Sequence, residues 1–392
     1  MKVLVANLGS TSFKYRLFEM SAGEESMLAE GGYERVADYG EVIDDALSKM
    51  EGSGAVASRD EIDAVGFKTV LGRNLSGCVD ADDRVLEALE GFAEVAPAHN
   101  PAYAAGIRQF RETLPSARPI ALFETAFYQW VPEAATRYAV PEAWHNAGIR
   151  RYGFHGASHK FIAERSAELL GRDDVAGVAR GLYQDGPQEF ADPLRVVSCH
   201  LGGSSSVTGI RNGVAVGTSM GFSPQSGLPQ NNRVGDLDSG AIPYAIKALG
   251  LSMDEVERQL TKESGLLGVS GVGNDLREVR NASEAGDEKA RLAVDMLVHE
   301  TRRWASSFLF DLGGLDAITF TAGIGENNPK LRSAVCAGLE GFGVRVDPDR
   351  NEACLGAEAE ISSADSQVKI HVIPANEELV LAREVFRKIT SN

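Results

Sequence analysis

"VLVANLGSTSFKYRLF", residues 3–18, is an apolar run, a short polar turn and a second strand-like run. Residues 195–210, "RVVSCHLGGSSSVTGI", repeat the pattern. Each reads as a strand, a Leu-Gly turn rich in Ser, and a returning strand. A hairpin duplicated this far apart predicts two related domains facing each other, each offering one polar turn to the cleft between them. Gly, Ser and Asn suit any turn. Backbone N–H groups, hydroxyls and the Lys14 ammonium gathered at one tip also suit a phosphate. The hairpins alone leave both readings open.

The size agrees with two domains, because 392 residues exceed what one ordinary core accommodates. Acidic residues number 56 against 39 basic ones, a net charge of -17. That balance argues against nucleic acid and anionic membrane as partners. Cys78, Cys199, Cys336 and Cys354 are scattered without metal-ligand spacing, which predicts free thiols in a reducing compartment. No apolar run reaches the length of a membrane span, and no charged-then-apolar leader precedes the first strand. A cytoplasmic protein is expected.

Strand-like runs ("KVLVA", "DAVGFKTV", "PIALFETA", "RVVSCHL", "DAITFTA", "VKIHVIP") alternate with helical patterns such as the one near 287–311. This alternation predicts an α/β fold. Ser252 and Glu255 form a capping box opening one helix. "DAITFTAGIGENNPKLRSAV" reads as a buried strand, the turn "AGIGEN", then a helix capped by Asn328 with Pro329 in its first turn. Backbone N–H groups at such a helix start favour an anion or the edge of a nucleotide. The third glycine of a dinucleotide fingerprint is missing, and no Gly-Lys pair of a Walker loop occurs, so any ATP is held by another geometry.

The remaining polar motifs each have a plain reading. "GTSMG" (217–221) matches the serine-hydrolase pattern, but a loop follows Ser219 where that chemistry needs a helix. His155 and His159 in "YGFHGASHK" are four residues apart; with the helix beginning near Ser158 they need not share a face, and no third metal ligand is evident. A loop histidine beside phosphate-binding turns suits a proton donor or charge stabiliser. His99 in "APAHNPA" reads as part of a stiff turn. Arg233, Asp236 and Asp238 in "NNRVGDLDSG" read as an exposed charged loop, and the acids after Pro374 as complements to a helix dipole.

Taken together, "NLGSTSFKY", "AHNP", "ETAF", "RRYGFHGASHK", "CHLGGSSS", "TSMGFSP", "ESGLLGVSGVGNDLR", "FTAGIGEN" and "IPANEEL" resemble, in order and over nearly the whole chain, the acetate kinase family. The resemblance implies two duplicated actin-like (RNase H-like) domains with a nucleotide cleft between them, residues 1–127 plus 377–392 and residues 128–376, and a homodimer. It implies phosphoryl transfer from ATP to a short carboxylate, giving an acyl phosphate and ADP, with Mg2+ as cofactor. By position, Asn7 and Glu377 match the metal-binding pair, and Glu124, His155 and Arg233 the catalytic residues. Lys68, Val70, Ala98, Phe154 and Pro224 match the acyl-substrate site. Ser10, Ser12 and Lys14 fall in the first phosphate turn. His200, Leu201, Gly202, Gly203 and Ser204, then Asp275, Leu276 and Arg277, then Gly323, Ile324, Gly325, Glu326 and Asn327 match the ATP-binding segments.

The departures cluster at the acyl end. Lys68 replaces the family's substrate-holding arginine and cannot make its flat two-pronged grip. Glu124 replaces an aspartate, Ala98 a bulkier aliphatic residue, and Arg73 a glycine. The second phosphate turn reads Gly-Gly-Ser in place of G-N-G, and "GLYQDGPQEFADP" (181–193) resembles an inserted loop. These changes leave three readings. One is a kinase of another carboxylic acid, in which Arg73 meets a second polar group. Another is an acetate or propionate kinase that has drifted, and the third is a nucleotide-binding sensor without kinase activity.

Overall fold

The computed structural model describes residues 1–9, 11–95 and 99–391. Ser10 and Ala98, two of the expected site residues, lie outside the described residues. The first sheet begins with an antiparallel meander, β1 (Lys2–Leu8), β2 (Ser12–Ser21) and β3 (Glu24–Glu34). Strands β4 (Ala64–Thr69) and β6 (Arg118–Phe123) add in parallel beyond β1, and β5 (Cys78–Asp80) closes the edge antiparallel. The second sheet repeats this plan. Its meander is β7 (Arg195–Leu201), β8 (Ser205–Arg211) and β9 (Val214–Thr218). Its parallel strands are β10 (Ala317–Thr321) and β12 (Lys369–Val372), and its edge strand is β11 (Ala359–Glu360). The strand orders β3-β2-β1-β4-β6-β5 and β9-β8-β7-β10-β12-β11 match position for position. The two quoted hairpins, β1–β2 and β7–β8, are the equivalent elements. The duplication is real.

Strands β1 and β7 are near-continuous apolar runs because each is flanked by strands on both edges and covered on both faces. The helices that position the site are α1 (Asn100–Thr113), α2 (Gly156–Leu169), α3 (Ala241–Leu249), α4 (Glu288–Leu312), α5 (Ala322–Asn327), α6 (Pro329–Cys336) and α7 (Glu377–Thr390). The last of them returns to the first sheet, burying Leu379, Val380, Leu381, Ala382 and Val385 in the core around Val3, Val5 and Val65. Gly66 on β4 lets it approach, since a Cβ there would stand 2.9 Å from Val385 and 3.1 Å from Leu381. Helix α2 contributes Ala157 to that same core, while Ala163 and Ala167 pack with Val175 and with Val196 and Ile210 on the second sheet.

Two local expectations need correction. "AGIGEN" is a six-residue helix, α5, entered through Ala322 at φ 64, so the strand is followed by two short helices and not by a turn and one helix. A left-handed alanine costs roughly 1–2 kcal/mol, which the packed strand end must offset. The "GLYQDGPQEFADP" stretch begins inside a helix, Asp173–Asp185, and only its second half is loop. The Ser252/Glu255 capping box and the Asn328 cap of α6 form as read.

Candidate active site

Parallel strands β1, β4 and β6 run in one direction, so their C-terminal ends deliver Asn7, Lys68 and Glu124 to one edge of the sheet. Ligands of α/β sheets bind at such edges. Glu377, the first residue of α7, reaches the same place. The Lys68 ammonium lies 3.0 Å from Glu124 Oε1 and in direct contact with Glu377 Oε2. Burial would pull the Lys68 pKa down, but Glu124 and Glu377 more than offset it and hold it well above the ordinary lysine value. Burial also raises the Glu124 carboxyl, against the pull of Lys68. Glu377 ends low, because Lys68 and then His200 outweigh its burial. Neither Glu124 oxygen has a hydrogen-bond donor of good geometry. Asn7 Oδ1 accepts from the Tyr103 hydroxyl of α1 at 3.0 Å.

Three histidines crowd beside this triad. His155 caps α2 in the left-handed region, φ 60. Gly156 permits it, since a Cβ at that position would stand 2.2 Å from the Glu124 carbonyl oxygen, which accepts from the Gly156 N–H. The imidazoles of His155 and His200 stack at 4.1 Å. His155 and His159, whose spacing left their proximity open, are brought together, for both reach Ser206 Oγ at 2.8 Å. Burial first, then His200, His159, Lys68 and Arg233, holds His155 well below the ordinary 6.5. Burial and His200 do the same to His159. Burial pushes His200 down to about 4. All three are neutral at pH 7.

A cavity of about 840 Å³ is lined by Val70, His99, Phe222, Pro224 and Arg233, together with Glu94, Asp254, Glu257, Arg258 and Lys262. Phe154 does not line it; it packs beneath Val70 with Leu71, Phe92, Tyr152 and Met220. Arg73, expected near the substrate, turns away and donates to the Asn146 carbonyl at 3.0 Å. Arg233 is half-buried, and among the described residues its guanidinium donates only to neutral acceptors, Ser204 Oγ at 3.3 Å and Pro224 O and Gln230 Oε1 at 3.4 Å. His99 and Phe222 are additions to the expected set. His99 is held below its ordinary pKa by burial, Arg233 and Lys68. Its signal was the Pro-flanked "AHNP", which a stiff turn explains equally well.

Gly202, Gly203 and Ser204 form the β7–β8 turn facing Arg233, with His200 below it and Leu201 in the core. Gly323, Ile324, Gly325, Glu326 and Asn327 make up α5 beyond β10. Asp275 and Arg277 begin the helix Leu276–Glu284, where the Asp275 carboxylate accepts from the Arg277 N–H and pairs with its guanidinium; Leu276 is buried. Their side chains pair with each other at the surface, with Arg277 largely exposed. Ser12 starts β2. Lys14 stands opposite Asn7 in the ladder and leans towards Glu34 at 3.8 Å.

The donors fit a magnesium ion. Glu377 and Asn7 both present oxygen ligands, and no cluster of three His, Cys, Asp or Glu ligands exists among the described residues. A sparse oxygen set is what Mg2+ takes when phosphates and waters complete its shell.

The neutral histidines carry a pH prediction. Unfolding returns each imidazole to about 6.5, so the unfolded chain gains protons that the folded chain refuses as pH falls below that value. Their contribution is full above pH 6.5 and is lost on the way down towards 4. For His200 alone that is about 3 kcal/mol. Glu124 opposes it, because its raised pKa lets the folded state take up a proton before the unfolded chain as pH falls towards the ordinary carboxylate value, but it is one group against three. Calorimetric melting between pH 7.5 and 4.5 should show the loss, with a shallower slope in His200→Gln. An equal slope in the variant removes His200 as a source.

The family model described as the Acetokinase family matches residues 29–383. The acetate kinase of Geobacillus kaustophilus is 40% identical, and that of Bacillus subtilis 38%, over 98% of this chain and 98% and 99% of theirs. Among solved structures, Porphyromonas gingivalis acetate kinase superposes with a TM-score of 0.88 at 34% identity, covering 99% of each chain. A propionate kinase from Francisella tularensis gives 0.81 at 31% identity over 98% of each chain. With its duplicated sheets and charged cleft, this chain belongs to the acetokinase family.

Proposed function

We propose that the protein is an ATP-dependent carboxylate kinase that passes the γ-phosphoryl group of ATP in line to a short-chain carboxylic acid, giving an acyl phosphate and ADP. The observation that carries this reading is an anion site waiting for charge. Arg233 has no carboxylate within ion-pair distance among the described residues and faces a cavity wall shared with Val70 and His99. A carboxylate nucleophile is ionised at neutral pH and needs no general base. Its oxygen attacks phosphorus as the bond to the ADP oxygen breaks, and no proton moves. The protein's work is therefore positioning and charge neutralisation.

In this reading Arg233 and neutral His155 donate to the phosphoryl oxygens in flight. Lys68 and Glu124 set the position of the incoming acid, and Val70 and Pro224 receive its alkyl end. The turn at Gly202–Ser204, the α5 segment, Asp275–Arg277 and Ser12 with Lys14 surround the nucleotide. Asn7 and Glu377 would hold Mg2+, which when bound supplies further neutralisation of phosphate charge. The size of the cavity supports acids larger than acetate alongside it.

The domain limits proposed are residues 1–127 plus 377–392 and residues 128–376, supported by the return of α7 to the first core. A homodimer is supported by α3, an apolar helix with no buried residue, and by exposed Tyr244, Leu249 and Phe310. Four free cysteines, three of them buried, support a cytoplasmic setting. The test is ADP release with Mg2+ and ATP across formate, acetate, propionate, butyrate and hydroxy-, amino- and dicarboxylic acids, with hydroxylamine to trap acyl phosphate. Trapped hydroxamate is expected; its absence with every acid, while ATP still binds, overturns the proposal.

Lys68 and Glu124 should behave as a matched pair. The shorter cation and the longer carboxylate together close a 3.0 Å contact. Lys68→Arg alone overfills that gap and should lower kcat/KM about ten-fold, an overpacking and misplacement cost of roughly 1–2 kcal/mol. Adding Glu124→Asp should restore most of it. Steady-state rates of the two single variants and the double variant measure the coupling. Additive losses would mean that the two residues act independently.

A further inference from the structure

Three buried side chains and the half-buried His155 form one hydrogen-bonded row beneath the cleft. Ser198 Oγ lies 2.8 Å from His159 Nδ1, His159 Nε2 lies 2.8 Å from Ser206 Oγ, and Ser206 Oγ lies 2.8 Å from His155 Nδ1. Ser198, His159 and Ser206 are each fully buried. A hydroxyl has one proton, and a neutral imidazole has one, so the row runs with a single polarity. Ser198 decides which. Its side chain has no hydrogen-bond partner but His159 among the described residues. Were His159 Nδ1 to donate to Ser198, the serine O–H would be buried with no acceptor, at a cost of about 1–3 kcal/mol.

The Ser198 O–H therefore donates to His159 Nδ1, and His159 carries its proton on Nε2 and donates to Ser206. The Ser206 O–H donates in turn to His155 Nδ1. His155 is left with its proton on Nε2, the ring nitrogen that has no hydrogen-bond partner among the described residues. The same reasoning applies beside it. Fully buried Ser158 has only His200 Nδ1 to donate to, at 2.8 Å, so the stacked His200 also keeps its proton on Nε2. That nitrogen lies 3.9 Å from where a Cβ of Gly202 would stand, beside the second phosphate turn.

We propose that Ser198, His159 and Ser206 are positioning residues that lock His155 in the tautomer bearing its proton on Nε2, so that a phosphoryl oxygen meets an N–H donor and not a lone pair. The proposal rests on the kinase reading for its purpose, but the tautomer is a property of the ligand-free chain. Two neutral donors stacked at the cleft accept negative charge without gaining or losing a proton, which suits a transfer in which no proton moves.

The test is long-range 1H–15N correlation of the histidine rings in the full-length protein at pH 7.5, with the His155 signals assigned by their loss in His155→Gln. The wild type should show an N–H at His155 Nε2 and a bare Nδ1. The opposite tautomer overturns the proposal whatever the activity. Ser198→Ala lies three hydrogen bonds away from His155, outside the residues assigned to nucleotide and acid. It should nevertheless shift the His155 nitrogens towards a mixture and lower kcat about three- to ten-fold, with KM for ATP unchanged. Ser206→Ala should do so more strongly, and Ser206→Thr should restore the wild-type nitrogens. Unmoved His155 nitrogens in folded Ser198→Ala and Ser206→Ala overturn the relay. Should either alanine variant fail to fold, the wild-type spectrum and Ser206→Thr still decide. A wild type that shows the expected tautomer yet phosphorylates no acid would refute the kinase reading alone.

Discussion

Arg233→Ala is expected to lower kcat about 1,000-fold while leaving the melting temperature nearly unchanged. A guanidinium aimed at a transferring phosphoryl group is worth 10³–10⁵ in rate, and the lower end applies because neutral His155 remains beside it. Stability should hardly move, because Arg233 makes only three long hydrogen bonds, at 3.3 to 3.4 Å, to uncharged acceptors. Burial already presses its pKa down, so the native state carries a desolvated charge without a counter-ion until the substrates arrive. Removing it deletes a cost as well as a benefit. Arg233→Lys keeps the charge but loses the planar fork and should recover only part of the rate. Single-turnover ADP formation, read beside a thermal melt, checks both halves. A loss below ten-fold would mean that Arg233 is not at the transferring group.

Much of this architecture was legible because it is written in local pattern. Central strands β1, β4, β7 and β10 are short apolar runs bounded by turn residues, and the polar tips of β1–β2 and β7–β8 mark the duplication. What stayed hidden is topological. Lys68 and Glu377 are 309 residues apart, and only the return of α7 to the first sheet brings them into contact. His155 and His159 meet through Ser206 on β8, a serine that sequence cannot tell from its neighbours Ser204 and Ser205. The left-handed start of α2 is what swings His155 back towards that hydroxyl, and helical spacing counted from Ser158 could not anticipate it. "AGIGEN" misled for a related reason: its glycines suit a loop, yet the space beside β10 admits a tight helix once Ala322 takes a positive φ. Arg73, a substrate contact in one of the three readings, has φ 57 and donates to the Asn146 carbonyl. Arg233 was legible only through the family resemblance, for its loop alone reads as exposed charge.

Lys160→Met should destabilise the fold by about 3 kcal/mol, the low end of the 3–5 kcal/mol that follows from breaking a buried ion pair from one side. The ammonium is completely buried on α2, 2.7 Å from Glu164 and 2.8 Å from Glu384 on α7. Taking it away leaves two buried carboxylates. Arg383 still pairs with Glu164 at 3.1 Å and Arg387 with Glu384 at 2.5 Å, which is why the lower figure is expected. Burial would raise the Glu164 carboxyl, but Lys160 and then Arg387 more than offset it, so the acid stays ionised in the native state. Neutralising the acids together with the base, in Lys160→Met/Glu164→Gln/Glu384→Gln, should recover part of the loss, since the penalty belongs to the orphaned charges. Denaturant melts of the two variants measure the difference. The cluster also joins α2, which begins beside His155, to α7, which begins with Glu377. Loosening it therefore moves His155, the proposed phosphoryl donor, against Glu377, the proposed metal ligand. At a temperature where Lys160→Met is fully folded, kcat should still fall several-fold with KM for ATP little changed, because an error of about 1 Å between such groups is enough to cost rate. A stability loss with full kcat would confine the cluster to holding the two helices together.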